Sequence, residues 1–368
     1  MHRTARCFAV AALSHCTALA GPAGFDTEID AVAPGIQKWA TVCVVTSPPD
    51  GAPEFEWIDY AESGNATDFW PASAIKLYAA VAALELLNER GFPLETVVSF
   101  EHRAQSGERV LDCARTMREM LSEVFRRSSN EDYTLLLRLV GIDRINTLFL
   151  TPDRGFPHSA LMRGYVLGRP YGYVREEPQR ITLRAADGRT DTFEHTWSGR
   201  FYAEERGGKI IDARTGNVTS SRELAECLRR ILFAEHLAQN DRYRLTPEQL
   251  DFLRHGGAGL TGLETRAESS GPIAWTNGLD ALFPQARFFH KCGVISNYAL
   301  EAAFVDDSAA GGARFIMVPV IAAGEATKPV GGERFIGEMS RAIGGWVKGR
   351  LEQTAPPPRS DRAAETKR

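Results

Sequence analysis

Ser73 and Lys76 stand three positions apart in Phe69-Trp70-Pro71-Ala72-Ser73-Ala74-Ile75-Lys76, so on a helix they share a face. A serine hydroxyl is a weak nucleophile until a base takes its proton. A lysine held out of water, or beside another cation, loses proton affinity and can be that base. The first turn of a helix adds free N–H groups and a partial positive charge where an oxyanion would form. The bland reading of the same pair is an N-cap serine and a snorkelling lysine. Two further fragments bear on the choice. Ser128-Ser129-Asn130 falls between two expected helices, and Lys291-Cys292-Gly293 falls on a late strand, followed by a turn at Ser296-Asn297. Each alone could be a cap, a turn or a strand end.

The elements that must position these residues follow from hydrophobic periodicity and its punctuation. Residues 39–46 read as a buried strand and 54–60 as a second, joined by the turn Pro48-Pro49-Asp50-Gly51. A helix starts near Pro71 and stops at Gly91. It is apolar almost all round, which predicts burial and makes a free lysine on it awkward. Further helices are expected at 116–127, 131–140 and 143–150, and a long loop at 151–179. Ile181 to Trp197 alternates around Asp187-Gly188, the pattern of an inserted hairpin. Ser220 with Glu223, and Thr246 with Gln249 behind Pro247, look like capping boxes opening two more helices. Strands return at 287–293, 298–305 and 314–321, and a last amphipathic helix spans 333–352.

This order predicts an α+β fold of the α/β sandwich type. An antiparallel sheet of about five strands would be built from N- and C-terminal segments and flanked by helices, with a mainly helical lobe inserted. The expected organisation is one domain over 25–353. Its α/β part covers 25–68 and 280–353, and its helical part covers 69–279 with the hairpin near 181–202.

Composition bounds the function. The chain has 368 residues, 43% hydrophobic and 24% charged, with net charge −4. These values exclude collagen, wholesale disorder and a coiled coil, and the acidic balance argues against a nucleic-acid partner. No apolar run reaches the roughly 20 residues of a membrane span. Arg3 and Arg6 precede an apolar stretch ending in Ala18-Leu19-Ala20, which fits a signal peptide over residues 1–20 and a periplasmic or secreted protein. Residues 354–368, Pro-rich and then charged, read as a disordered tail. Cys43, Cys113, Cys227 and Cys292 show no metal spacing and are expected to be buried and reduced. The histidines lack a metal pattern, His290 should face away from Lys291 in a structural role, and neither a G-x-S-x-G elbow nor a phosphate loop is present.

In this order and on these elements, the three fragments resemble the motifs Ser-x-x-Lys, Ser-x-Asn and Lys-Thr/Ser-Gly of the penicillin-recognising serine acyl transferases, that is, class A β-lactamases and the related D,D-peptidases. The resemblance spans about residues 35 to 353. It implies that Ser73 forms an acyl-enzyme, that Lys76 accepts its proton, that Ser128 relays a proton to the leaving nitrogen and that Asn130 bonds the substrate amide. Lys291 would supply positive charge near Ser128 and near a substrate carboxylate. The N–H groups of Ser73 and of Val294, just past Gly293, would form the oxyanion hole. No cofactor and no metal are implied. The substrate would be a small molecule or peptide, a β-lactam or an acyl-D-alanyl peptide. The oligomeric state is not implied.

Three departures qualify the resemblance. Cys292 stands where a hydroxyl would bind a substrate carboxylate, and a thiol is a far weaker donor. The loop glutamate that activates a deacylating water has no clear counterpart; Glu176 and Glu177 are the nearest candidates, and solvated loop carboxylates are the plainer reading of both. The inserted hairpin would alter the rim of the groove. Two functions therefore compete: an exported serine acyl hydrolase, and a catalytically weak or inactive relative that binds peptidoglycan or a partner protein.

Overall fold

The computed structural model describes residues 24–47, 51–104, 106–166, 178–210, 212–264, 279–295, 298–322 and 330–354. In chain order its main elements are α1 (Phe25–Ala31), β1 (Gln37–Thr46), β2 (Glu54–Asp59), α2 (Lys76–Glu89), β3 (Val97–Arg103), β4 (Arg109–Thr116), α3 (Met117–Arg126) and α4 (Asn130–Val140). They continue with the short α5 (Ile142–Arg144), β5 (Gln179–Arg184), β6 (Thr190–His195), the short α6 (Tyr202–Glu205), α7 (Ser221–Leu232), α8 (Pro247–His255), β7 (Arg287–Ile295), β8 (Tyr298–Asp306), β9 (Arg314–Ala322) and α9 (Val330–Thr354).

The expected five-stranded sheet is present, antiparallel throughout, in the order β2-β1-β9-β8-β7. Both faces of its centre are covered, which is why β1 and β9 read as near-continuous apolar runs rather than alternating ones. One face carries Ala40, Val42, Phe288, Phe315 and Met317 and packs on Phe25 and Ile29 of α1 and on Ile336, Met339 and Ile343 of α9. The other carries Trp39, Cys43, Phe304 and Val318 and joins the larger core containing α2, α4 and α7. Each fully buried Leu, Ile or Phe here contributes roughly 1.5–3 kcal/mol of transfer free energy, and α2 is buried along almost its whole length in the larger core.

The inserted lobe holds more strand than the sequence suggested. The hairpin around Asp187-Gly188 is present as β5 and β6, and Gly188 takes a φ of 88°. It is not an isolated insertion: it completes a second antiparallel sheet, β4-β3-β5-β6. β3 and β4 escaped the periodicity reading because β4 is partly or fully exposed along its length and its polar residues break the alternation. Under this sheet lies Arg138, with no exposed side-chain surface; it pairs with Asp112 at 2.8 Å and donates to Gln179 at 2.6 Å. A buried guanidinium is tolerated only with such partners.

Two local expectations are corrected. Ser220 caps α7 by accepting from the Glu223 N–H at 3.2 Å. Glu223 does not complete a capping box: its carboxylate turns to the His158 N–H (2.7 Å) and the Ser159 hydroxyl. The capping box on Thr246 is complete. The four cysteines among the described residues are free, as expected, but Cys113 is half-buried rather than buried. No described helix is long and apolar enough to cross a membrane, and no metal-binding cluster occurs among the described residues. The proposed signal peptide, the turn residues 48–50, Ser296-Asn297 and the tail from 355 lie outside the described residues.

Candidate active site

Ser73 sits in a single 3-10 turn, Ala72–Ile75, that runs directly into α2. Ala72, just before it, has a φ of 43°, a left-handed conformation that an alanine adopts only against a local cost. The phenol of Tyr165 donates to the Ala72 carbonyl at 2.7 Å and pins the turn. One turn on, Lys76 is fully buried. Ala-rich α2 gives its stem no route to solvent, so the amine turns toward the start of α4.

There it meets the second fragment. Nζ of Lys76 donates to the Ser128 carbonyl and to Asn130 Oδ1 at 2.7 Å, and lies 3.1 Å from Ser128 Oγ. The two serines divide the work. Ser129 is the N-cap of α4, accepting from the Asp132 N–H at 3.1 Å. Ser128, at a φ of 57°, is turned out of the helix approach and into the site. From the sheet side, Lys291 donates to the same Ser128 Oγ at 2.9 Å and to the Cys292 carbonyl at 3.0 Å. Ser128 thus stands between two lysines.

Burial, and secondarily the neighbouring charge of Lys291, pushes the Lys76 amine down to about 6. A neutral amine has two N–H donors and one lone pair. The donors match the Ser128 carbonyl and Asn130 Oδ1, and the lone pair is left to take a hydroxyl proton. The rings of Tyr133 and Tyr165 flank Nζ at 5.8 and 5.9 Å and help exclude water. Among the described residues, every hydrogen-bond partner of Lys76 is neutral.

β7 is the edge strand and closes the site. A Cβ on Gly293 would fall 2.9 Å from the Pro71 carbonyl and 3.0 Å from the Ser73 nitrogen, so only glycine lets the strand lie on the Ser73 turn. The N–H of His290 points off the sheet edge to the Leu263 carbonyl at 2.9 Å. By the alternation of an antiparallel strand, the N–H groups of Cys292 and Val294 point the same way. Ser73, Ser128, Asn130, Lys291, Cys292 and Val294 line one cavity of about 210 Å³. Cys292 is almost wholly buried, and burial raises its thiol pKa, so it meets the cavity as a neutral, weak donor. His290 lies 3.1 Å from buried Glu301; the expectation that it faces away from Lys291 is corrected, since both border the cavity.

With this geometry in place, the comparisons decide the family. The model of the beta-lactamase enzyme family matches residues 55–347. The chain belongs to the beta-lactamase enzyme family. No curated protein sequence matches it. Among solved structures, a beta-lactamase from Sphaerobacter thermophilus is 15% identical at a TM-score of 0.53, covering 91% of this chain and 98% of that one. A PBP-A variant solved as its penicillin G acyl-enzyme is 15% identical at 0.54, covering 89% and 96%. A class A beta-lactamase from Mycobacterium abscessus is 15% identical at 0.50, covering 87% and 96%. At such identities the likeness is one of fold: a β-lactamase/transpeptidase-like α+β sandwich.

The family's chemistry is that of a serine hydrolase, and the residues read from the sequence as its carriers converge here. Glu176 and Glu177 lie outside the described residues. Sequence reasoning missed Tyr133 and Tyr165. Tyr133 follows Asn130 by one helical turn and could have been read as its neighbour; Tyr165 lies in an irregular segment with no pattern to mark it.

Proposed function

We propose that the protein is an exported serine acyl hydrolase that takes β-lactams or acyl-D-alanyl peptides through an acyl-enzyme on Ser73. The observation that carries this reading is the double engagement of Ser128 Oγ, 3.1 Å from Lys76 and 2.9 Å from Lys291, at the wall of the cavity that Ser73 lines. In the first step Ser73 Oγ attacks the acyl carbon while its proton passes to Lys76. The oxyanion is received by the N–H groups of Ser73 and Val294. The proton then moves from Lys76 through the Ser128 hydroxyl to the leaving nitrogen, and Lys291, 2.9 Å from Ser128 Oγ, holds Ser128 in line. The amine leaves or, in a β-lactam, the ring opens. Water later cleaves the ester and regenerates the Ser73 hydroxyl.

One feature supports slow deacylation: no carboxylate among the described residues bonds Lys76. The thiol of Cys292 bears instead on recognition, since it offers a substrate carboxylate little. The test is to follow benzylpenicillin loss and the protein's intact mass in parallel, for the wild type and Ser73→Ala. A lasting adduct absent from the variant is expected. Rapid drug loss without an adduct would mean that a deacylation base acts efficiently. Neither loss nor adduct in a folded protein would overturn the β-lactam reading and leave a hydrolase of another acyl substrate or a binding protein.

A further inference from the structure

The Ala72 carbonyl and the Ser73 N–H are the two ends of one peptide group. A trans peptide is planar and points them in opposite directions. Whatever holds the oxygen end therefore aims the nitrogen end. The nitrogen end lies against β7, where a Cβ on Gly293 would fall 3.0 Å from it. The oxygen end is held by Tyr165, whose phenol donates to it at 2.7 Å. Burial pushes that phenol up to about 12, so it stays a donor at neutral pH.

A phenol reaches this carbonyl because an irregular segment is built to carry it there. Asn146 accepts from the Leu161 N–H at 3.0 Å and donates to the Leu161 carbonyl at 2.8 Å. Asn217 accepts from the Met162 and Arg163 N–H groups at 2.8 and 3.1 Å and donates to the Arg163 carbonyl at 3.1 Å. Two buried asparagines thus satisfy the backbone of residues 161–163 as a neighbouring strand would. Gly164 then passes Thr134 so closely that a Cβ would fall 2.5 Å from Thr134 Oγ1. The same Oγ1 accepts from the Tyr165 N–H at 3.2 Å and donates to the Asn130 carbonyl at 2.8 Å. Tyr165 is thereby tied to α4 by its backbone and to the Ser73 turn by its hydroxyl.

The turn it holds would otherwise relax. Ala72 sits at a φ of 43°, and a left-handed alanine moves toward ordinary backbone when released. Such a move swings the Ala72–Ser73 peptide and carries the Ser73 N–H with it. The bond to the carbonyl also polarises the peptide, and linked hydrogen bonds strengthen one another. We infer that Tyr165 is a positioning residue for the oxyanion hole, its hydroxyl orienting and polarising the Ala72–Ser73 peptide so that the Ser73 N–H meets the developing oxyanion. Its ring, 5.9 Å from Lys76 Nζ, serves the base separately. The inference rests on the acyl-hydrolase reading for the reaction, though not for the hold on the peptide.

The test is Tyr165→Phe, which removes the hydroxyl and keeps the ring. The readout is the first-order acylation rate constant at saturating benzylpenicillin, by rapid quench and intact mass, which reports the folded fraction alone. It is expected to fall about tenfold, less than the roughly 100-fold or more that outright loss of an oxyanion donor costs. The pH inflection of that rate should stay at about 6, because the hydroxyl does not act through Lys76. Tyr165→Leu, which also removes the ring, is the contrast: water reaches the amine, and the inflection should rise. Backbone NMR reads the peptide directly, and the amide nitrogen resonance of Ser73 should move upfield in Tyr165→Phe. A rate constant within twofold of the wild type, an inflection that rises in Tyr165→Phe as it does in Tyr165→Leu, or an unmoved Ser73 resonance would overturn the inference and leave the acyl-hydrolase reading intact. If benzylpenicillin does not acylate the wild type, the functional reading fails, and the Ser73 resonance alone decides: a shift in Tyr165→Phe upholds the hold on the peptide, and no shift overturns it.

Discussion

Replacing Lys76 with methionine should abolish acylation and, at neutral pH, stabilise the protein. The side chain is fully buried, and its amine is pushed from its ordinary 10.5 down to about 6. Holding it neutral at pH 7 means removing its proton about 3.5 pH units below its ordinary value, which costs about 5 kcal/mol. Lys76→Met removes that cost. It also strips hydrogen bonds from the Ser128 carbonyl, Ser128 Oγ and Asn130 Oδ1, about 1 kcal/mol each. The variant should therefore be more stable by about 2 kcal/mol at pH 7. The sign of the pH dependence is fixed. Between about 6 and 10.5 the unfolded chain binds a proton that the folded one does not. Wild-type stability must then rise with pH in this window, by about 1.4 kcal/mol per pH unit from this group, and the variant lacks that slope. By pH 9 the burial cost has shrunk to about 2 kcal/mol, and the variant should be the less stable by about 1 kcal/mol. Urea titrations of both proteins at pH 7, 8 and 9 measure the difference. A difference that stays constant over this range would refute the claim that Lys76 is neutral in the folded protein, and with it its assignment as base.

Gly293→Ala should slow acylation of Ser73 at least tenfold in a fluorescent-penicillin assay, because its methyl meets the backbone at Pro71 and Ser73, which cannot turn aside. Cys292→Thr restores a hydroxyl donor and should raise the acylation rate constant for carboxylate-bearing benzylpenicillin about tenfold; Cys292→Ala should not. Burial raises the carboxyl of Glu223 from 4.5 to about 7. The folded state thus holds a proton there that the unfolded state has lost, and this contribution, about 3 kcal/mol, is complete below pH 4.5 and lost as pH rises through 7. Glu223→Gln should flatten that part of the stability profile in thermal melts across pH 4.5 to 8.

The fold was legible where one physical signal dominated. The strands at 39–46, 298–305 and 314–321 announce themselves as apolar runs because both faces of the large sheet are covered. α2 is apolar all round because it is buried within the larger core. The second sheet was not legible beyond its hairpin: β4, next to β3 in the chain, is too exposed to alternate, and the other partner of β3, β5, comes only at Gln179–Arg184, so tertiary pairing alone joins the two hairpins. Glu223 shows how a local rule yields to context. Its position fits a capping box, but the buried Ser159 hydroxyl and the His158 N–H offered the carboxylate better partners. In the site, the spacing of Ser73 and Lys76 and the order of the three fragments pointed to one cavity. The aromatic walls and the left-handed backbone at Ala72 and Ser128 are properties of packing, which no spacing encodes.

The most direct test of the central claim is to locate the penicilloyl group. Protein incubated with benzylpenicillin is quenched in acid, digested and mapped by tandem mass spectrometry. The account predicts a single ester-linked adduct on Ser73, absent from Ser73→Ala and formed faster as pH rises through about 6, where Lys76 loses its proton. An adduct on Cys292 or Ser128, or none in the folded protein, would contradict it.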